Sequence, residues 1–397
     1  PSMDLPSSIP GGSQNVTYGG SAATTLNDSL HPGPSGLPTV DSRWSDGAPA
    51  SLNTGYSYEG SVGNNAYKTN LSTDTAAATS SANQSVWKKQ QAALSNQDYG
   101  WIGGGMSPSA IRTMVDKTTY STDTLAQLPG TNLSVGIYNH TAICDGTAGW
   151  FLGGQMNGSP SYNTNYYKLS LSSDTMSTPG SQIHNYNYRL SATNSLTAGY
   201  SSRGATFWTS VEKFVFSTES PSVLPSVLPY GTGPSMYNAE TQGTQTFGYW
   251  AGGFNGSTGG GGSHVVKMGW ATETGSSLPT SGYLSQGRYG MSSLGNTTDA
   301  YWMGGSPTSP ARTVEKLNYA TETSSVNPSL APSPIKDIQE NVSYGARAKG
   351  IPVSLPPIAT PTAASSGVPV NFGLRVMCNG SGTNVGKIDF TTDSTSK

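Results

Sequence analysis

A ten-residue phrase recurs seven times along this chain and carries a lysine at the same place in every copy. The copies are AYKTNLSTDT at 66–75, VDKTTYSTDT at 115–124, YYKLSLSSDT at 166–175, VEKFVFSTES at 211–220, VVKMGWATET at 265–274, VEKLNYATET at 314–323 and VGKIDFTTDS at 385–394. Mostly apolar positions two apart follow each lysine, then a turn of small, hydroxyl and acidic residues; a period of two belongs to a strand and not to a helix. Successive turn acids, Asp74, Asp123, Asp174, Glu219, Glu273, Glu322 and Asp393, are 49, 51, 45, 54, 49 and 71 residues apart. A repeat of that length holding several short strands is the mark of a β-propeller.

Composition closes off other folds. With 50 Gly, 26 Pro and only 11% charged residues in 397, turn formers are abundant and helix formers scarce. Because the phrases span the whole chain, one closed domain over 1–397 is expected. The formal net charge is −2 and no Lys/Arg-rich run occurs, which argues against nucleic acid or an anionic membrane as partner. No apolar stretch approaches the length of a membrane span, and the opening PSMDLPSS lacks the basic and apolar regions of a signal peptide.

The rest of each blade can be read between the phrases. Aromatic segments closed by glycines, GWIGGG at 100–105, GWFLGG at 149–154, GYWAGG at 248–253 and AYWMGG at 300–305, predict second strands. Turn signals at Gly295-Asn296 and Asp145-Gly146 predict a hairpin between first and second strands. The lysine phrase is the third strand, and a short proline-containing fourth strand fits the outer edge. The last phrase ends at the C-terminus without a fourth strand, whereas MDLPSSIPGG at 3–12 resembles one. This predicts seven four-stranded blades, closed by an N-terminal strand that completes the blade of Lys387.

The repeated lysines, Lys68, Lys117, Lys168, Lys213, Lys267, Lys316 and Lys387, could form a ring of cations. Blades stack face to face, so a structural role is expected, with each ammonium reaching carbonyls or a neighbouring acid. The turn acids are expected to cap their own backbone amides. No catalytic set emerges. The histidines, His31, His140, His184 and His264, lack paired ligand spacing, Cys144 and Cys378 fall in different blades, and the glycine run 259–262 precedes a strand where a phosphate cradle needs a helix. A non-enzymatic protein without metal or cofactor is expected.

Two Pro-rich insertions, 26–53 and 350–370, interrupt the first and last repeats at the same point. They read as arms for assembly contact, with Trp44, Leu355 and Ile358 as apolar anchors.

The aromatic-Gly-Gly second strand and the Thr-acid-Thr turn resemble the kelch repeat. The stretches IGGGMSPSAIRTMVDKTTYSTDT at 102–124 and MGGSPTSPARTVEKLNYATET at 303–323 are similar to repeats of kelch-like virion structural proteins of tailed phages of aquatic bacteria, cyanophages especially. The resemblance implies a tail-fibre, tail or capsid-surface component that mediates assembly or host attachment. Its expected partners are other virion proteins, further copies of the chain and a host-surface glycan, and its expected location is the particle surface. The alternative is a secreted, lectin-like kelch propeller.

Overall fold

The computed structural model describes residues 54–327, apart from short interruptions, and the strands Ser2–Asp4, Asn15–Thr17, Tyr344–Ala346, Phe372–Asn379, Gly382–Asp389 and Ser394–Ser396. Two compact units are distinguished, Pro1–Ser354 and Leu355–Lys397. The insertions 26–53 and 350–370, with Trp44, Leu355 and Ile358, lie outside the described residues.

The first unit is a β-propeller of six antiparallel four-stranded sheets, one fewer than the seven blades expected. The second blade shows the pattern. Its innermost strand Ala92–Ser95 pairs with Tyr99–Gly103, which pairs with the lysine strand Met114–Thr119, which pairs with the outer strand Thr124–Asn132. Five of the blades take their strands from consecutive sequence. The first does not: its second, third and fourth strands are Thr54–Tyr58, Ala66–Asn70 and Thr75–Ala78, and its innermost strand is Tyr344–Ala346, paired with Gly55–Ser57. Closure is therefore made by a segment that follows the sixth blade. The N-terminal strand Ser2–Asp4, expected to complete the blade of Lys387, instead pairs with Asn15–Thr17 in a two-stranded ribbon. Lys387 lies in the three-stranded sheet of the second unit, between Phe372–Asn379 and Ser394–Ser396.

The core lies between blades. One apolar cluster joins Leu294 and Tyr301 of the sixth blade to Tyr56 of the first and Ile102 of the second, and four others join the remaining neighbours around the ring. Closure thus buries apolar surface at every junction, the largest favourable contribution to a fold of this kind.

Glycine before the second-strand aromatic is part of that packing. An innermost-strand side chain of one blade enters the space left by the missing side chain in the next: a Cβ on Gly149 would lie 2.3 Å from a Leu94 methyl, and one on Gly199 would lie 2.8 Å from Ile143 Cβ. The double glycines serve a different approach. Gly104 (φ 64°) and Gly105 (φ 94°) take left-handed conformations, and a Cβ on Gly104 would meet the Ile137 carbonyl of the next blade at 2.6 Å.

The hairpins between first and second strands enclose two residues, as expected, but these are Gly146-Thr147 and Thr297-Thr298, just beyond the dipeptides read from the sequence, and a side chain closes each. Asp145 accepts through Oδ1 from the backbone N–H groups of Thr147 and Ala148, and Asn296 does the same for Thr298 and Asp299. Asn96, Ser195 and Thr244 occupy the same place in their blades. A short polar side chain therefore replaces the missing backbone partner at each of these turns. Of the six outer strands, Thr124–Asn132 and Ser220–Leu224 contain proline and the other four do not.

Candidate functional site: the lysine belt and the loop rim

Six of the seven repeated lysines form a continuous belt. Each reaches out of its own blade to the turn acid of the next: Lys68 to Asp123 at 2.7 Å, Lys117 to Asp174 at 2.7 Å, Lys168 to Glu219, Lys213 to Glu273 at 2.5 Å and Lys267 to Glu322. Lys316 closes the circle on Asp74 at 2.9 Å. The cycle uses each of these acids once and needs no seventh blade. Strand geometry explains the reach. Opposite every lysine on the outer strand stands a small residue, Ala77, Ala126, Ser177, Ser222, Ser276 or Ser325, which leaves the ammonium room to cross the gap.

The acids are held ready by backbone conformation. Asp74, Asp123, Asp174, Glu219, Glu273 and Glu322 all have φ between 49° and 54°, a region non-glycine residues rarely occupy. Their carboxylates also accept from second-strand aromatics of the preceding blade: Trp101 Nε1 donates to Asp174 at 2.7 Å, Tyr301 Oη to Asp74 at 2.6 Å, Tyr200 Oη to Glu273 at 3.1 Å, and Tyr56 Oη to Asp123. Burial raises the Tyr56, Tyr200 and Tyr301 hydroxyls above their ordinary range, and the neighbouring carboxylate adds to this, so each stays protonated as a donor. At Asp123 burial opposes ionisation, but the hydrogen bonds from Lys68 and Tyr56 and the Lys68 charge outweigh it and hold the carboxyl below its ordinary value. The ammonium groups also sit over rings: Lys117 lies 4.0 Å from the Tyr99 centroid and Lys267 3.8 Å from that of Phe247. Each of these six ammonium groups therefore pairs with an acid that belongs to the neighbouring blade. The side chain of Lys387 lies outside the described residues.

A second set of charges, not anticipated from sequence, is buried beside the belt. The acid immediately before the lysine in the VDK and VEK copies points to the other face of the strand. Asp116 pairs with Lys88 at 2.9 Å, both fully buried, and Glu315 lies 3.4 Å from the Arg288 guanidinium. Glu212 accepts from Tyr166 Oη at 2.6 Å and from the His184 backbone at 2.9 Å. Burial pushes the Lys88 ammonium down, with Asp116 opposing, and acts likewise on Arg288 against Glu315. The signal was present in the repeated acid-lysine dipeptide, but the cations come from 27 or 28 residues upstream and share no phrase with it.

The opposite rim carries the connections between second and third strands. Just before the innermost strands, Gln90, Asn139, Arg189, Asn238 and Gly290 are all left-handed, and each of the last four donates its backbone N–H to the carbonyl of the one before, at 2.7–3.1 Å. Half-buried tyrosines precede three of them. Tyr188 stacks on Tyr162 from the preceding blade's loop, with centroids 5.4 Å apart, and Tyr289 meets Phe254 edge-on at 5.0 Å. Ahead of the third strand of the third blade the Gln182 amide donates to Asn165 Oδ1 at 3.3 Å. His140 is buried beside Phe151, and burial pushes its imidazole down to about 3, with the Gly103 backbone acting in the opposite sense and the Lys88 charge adding to the effect. Cys144 is buried, with Sγ 3.4 Å from the Ser95 carbonyl. Among the described residues no group of three or more His, Cys, Asp or Glu side chains is arranged to hold a metal ion, and no helix is long and apolar enough to cross a membrane.

No family model and no curated protein matches this chain. Among solved structures, that of YjhT is similar in fold: it aligns with a TM-score of 0.56 at 15% identity, covering 69% of this chain and 94% of YjhT.

Proposed function

We propose that this chain is a non-enzymatic structural protein of a tailed-phage particle surface, whose propeller mediates assembly or host attachment. The observation that supports this reading is the belt. The repeated lysines and acids are engaged in holding blade to blade, which suits a rigid scaffold presenting surfaces. The similarity of the stretches 102–124 and 303–323 to virion kelch-like repeats points the same way. On this reading the arms 26–53 and 350–370 dock onto a neighbouring virion protein through Trp44, Leu355 and Ile358. Mass spectrometry of purified particles tests the location, with the chain expected among the particle proteins. Trp44→Ala is expected to abolish incorporation while leaving the melting temperature nearly unchanged.

A second reading, a carbohydrate-binding propeller, is favoured by the half-buried Tyr162–Tyr188 stack on the loop rim, since aromatic faces suit sugar rings. A glycan array with the purified propeller separates the two. Binding that survives removal of the arms and is lost in Tyr188→Ala supports the lectin.

A further inference from the structure

One place in the ring has two strands in the sequence that suit it. Opposite the second-strand aromatic, the innermost strands carry Leu94, Ile143, Thr193, Gln242 and Leu294 in blades two to six. In the first blade Gly345 stands there, opposite Tyr56. The first blade is also the one whose innermost strand does not precede its second strand in the chain.

That strand, Tyr344–Ala346, ends the sequence NVSYGA at 341–346, and NVTYGG at 15–20 repeats it with a Ser-to-Thr and an Ala-to-Gly change. The innermost strands of the other five blades, AALS, TAIC, ATN, ETQG and SSLG, resemble neither. The likeness is therefore not a general demand of the innermost position. NVTYGG moreover lies ahead of Thr54–Tyr58, in the order that first and second strands keep in the other five blades. Its strand Asn15–Thr17 pairs with Ser2–Asp4 alone, and a two-stranded ribbon is marginal in water.

We propose that NVSYGA and NVTYGG are exchangeable closing strands for the first blade. In one state Tyr344, Gly345 and Ala346 stand opposite Ser57, Tyr56 and Gly55. In the other, Tyr18, Gly19 and Gly20 take the same register, the ribbon with Ser2–Asp4 is given up, and Tyr344–Ala346 is released. The two states lie close in free energy because nearly the same side chains return to the same places. The connections 21–53 and 327–343 differ about twofold in length, and closure entropy rises only slowly with length. Release lengthens the chain between the ring and the strand Phe372–Asn379 from 347–371 to 327–371, while the ring keeps six blades. The exchange thus sets the reach of the second unit, and a partner that holds either segment selects the state by its differential affinity. None of this depends on the virion reading.

Disulfide trapping in the full chain tests it, since directly opposed residues of antiparallel strands come within reach of a disulfide. Ser57→Cys, at a buried and nearly isosteric position, is combined with Tyr344→Cys or with Tyr18→Cys in a Cys378→Ser background. Under mild oxidation both disulfides should form, and the variant with all three cysteines should divide between them, as mapped by non-reducing peptide mass spectrometry. Ser57→Cys with Ser8→Cys, outside the repeated sequence, should stay reduced. Formation of only one of the two disulfides, or equal formation in the Ser8 control, overturns the proposal. A second measurement needs no cysteine: Gly345→Pro alone should lower the melting temperature much less than Gly345→Pro with Gly19→Pro, because the other strand takes over. Equal losses in the single and double variants overturn the exchange.

Discussion

Lys316 and Asp74 are separated by 242 residues, and their side chains meet at 2.9 Å. That ion pair, made in the same geometry as five others around the ring, joins the sixth blade directly to the first. Its existence is what distinguishes a six-bladed ring from a seven-bladed one. A double-mutant cycle of Lys316→Met and Asp74→Asn should show a coupling of about 0.5–1 kcal/mol in denaturant unfolding, near the upper end for partly exposed pairs. Lys117 and Asp174, a pair within consecutive sequence, should show a similar value. Zero coupling for the first cycle and normal coupling for the second would rule out the six-bladed closure.

The buried pair of Lys88 and Asp116 should behave differently. Lys88→Met strands a carboxylate at a fully buried site and should cost about 3–5 kcal/mol. The double variant Lys88→Met/Asp116→Val should recover most of this, because the fifth blade already has Val266 at the place of Asp116. Chemical denaturation of both variants checks it.

His140 predicts an acid-sensitive ring. Its folded value of about 3 lies below the ordinary 6.5, so the unfolded chain binds more protons between those limits. Stability should fall as pH drops from about 6.5 towards 3, with a slope contribution of up to about 1.4 kcal/mol per pH unit. Asp123 adds to the loss at the low end: its stabilisation is present above the ordinary carboxylate value and disappears as pH falls through its lowered one. His140→Leu, which introduces the residue that the fourth blade has at the equivalent place, Leu190, should flatten the melting profile in the upper part of this window and leave the Asp123 limb.

Packing at the second-strand glycines gives a steric prediction. Gly199→Ala should cost about 1–3 kcal/mol, since Ile143 Cβ cannot rotate away from the new methyl. Adding Ile143→Ala in that background should cost less than Ile143→Ala alone. The sixth blade, with Ala300 at this place, marks where a methyl is already accommodated.

Much of this architecture can be read along the chain. The period-two pattern around each lysine marks a strand, the acid that follows marks a turn, the aromatic-Gly-Gly segments mark second strands, and a spacing near 50 residues marks a blade. These are local relations, set by side-chain alternation and backbone conformation within a few residues. Sequence repetition is translational, however, and seven similar phrases do not say how many share one ring. That number depends on the angle at which blade packs on blade, through contacts such as Ile143 against Gly199. The tertiary structure decided that Lys68 bonds Asp123 of the next blade and not the Asp74 of its own phrase. It also decided that Tyr344–Ala346, which follows the sixth blade, lies against Gly55–Ser57 of the first. Both are through-space choices between chemically equivalent partners, which only the closed geometry of the ring can distinguish.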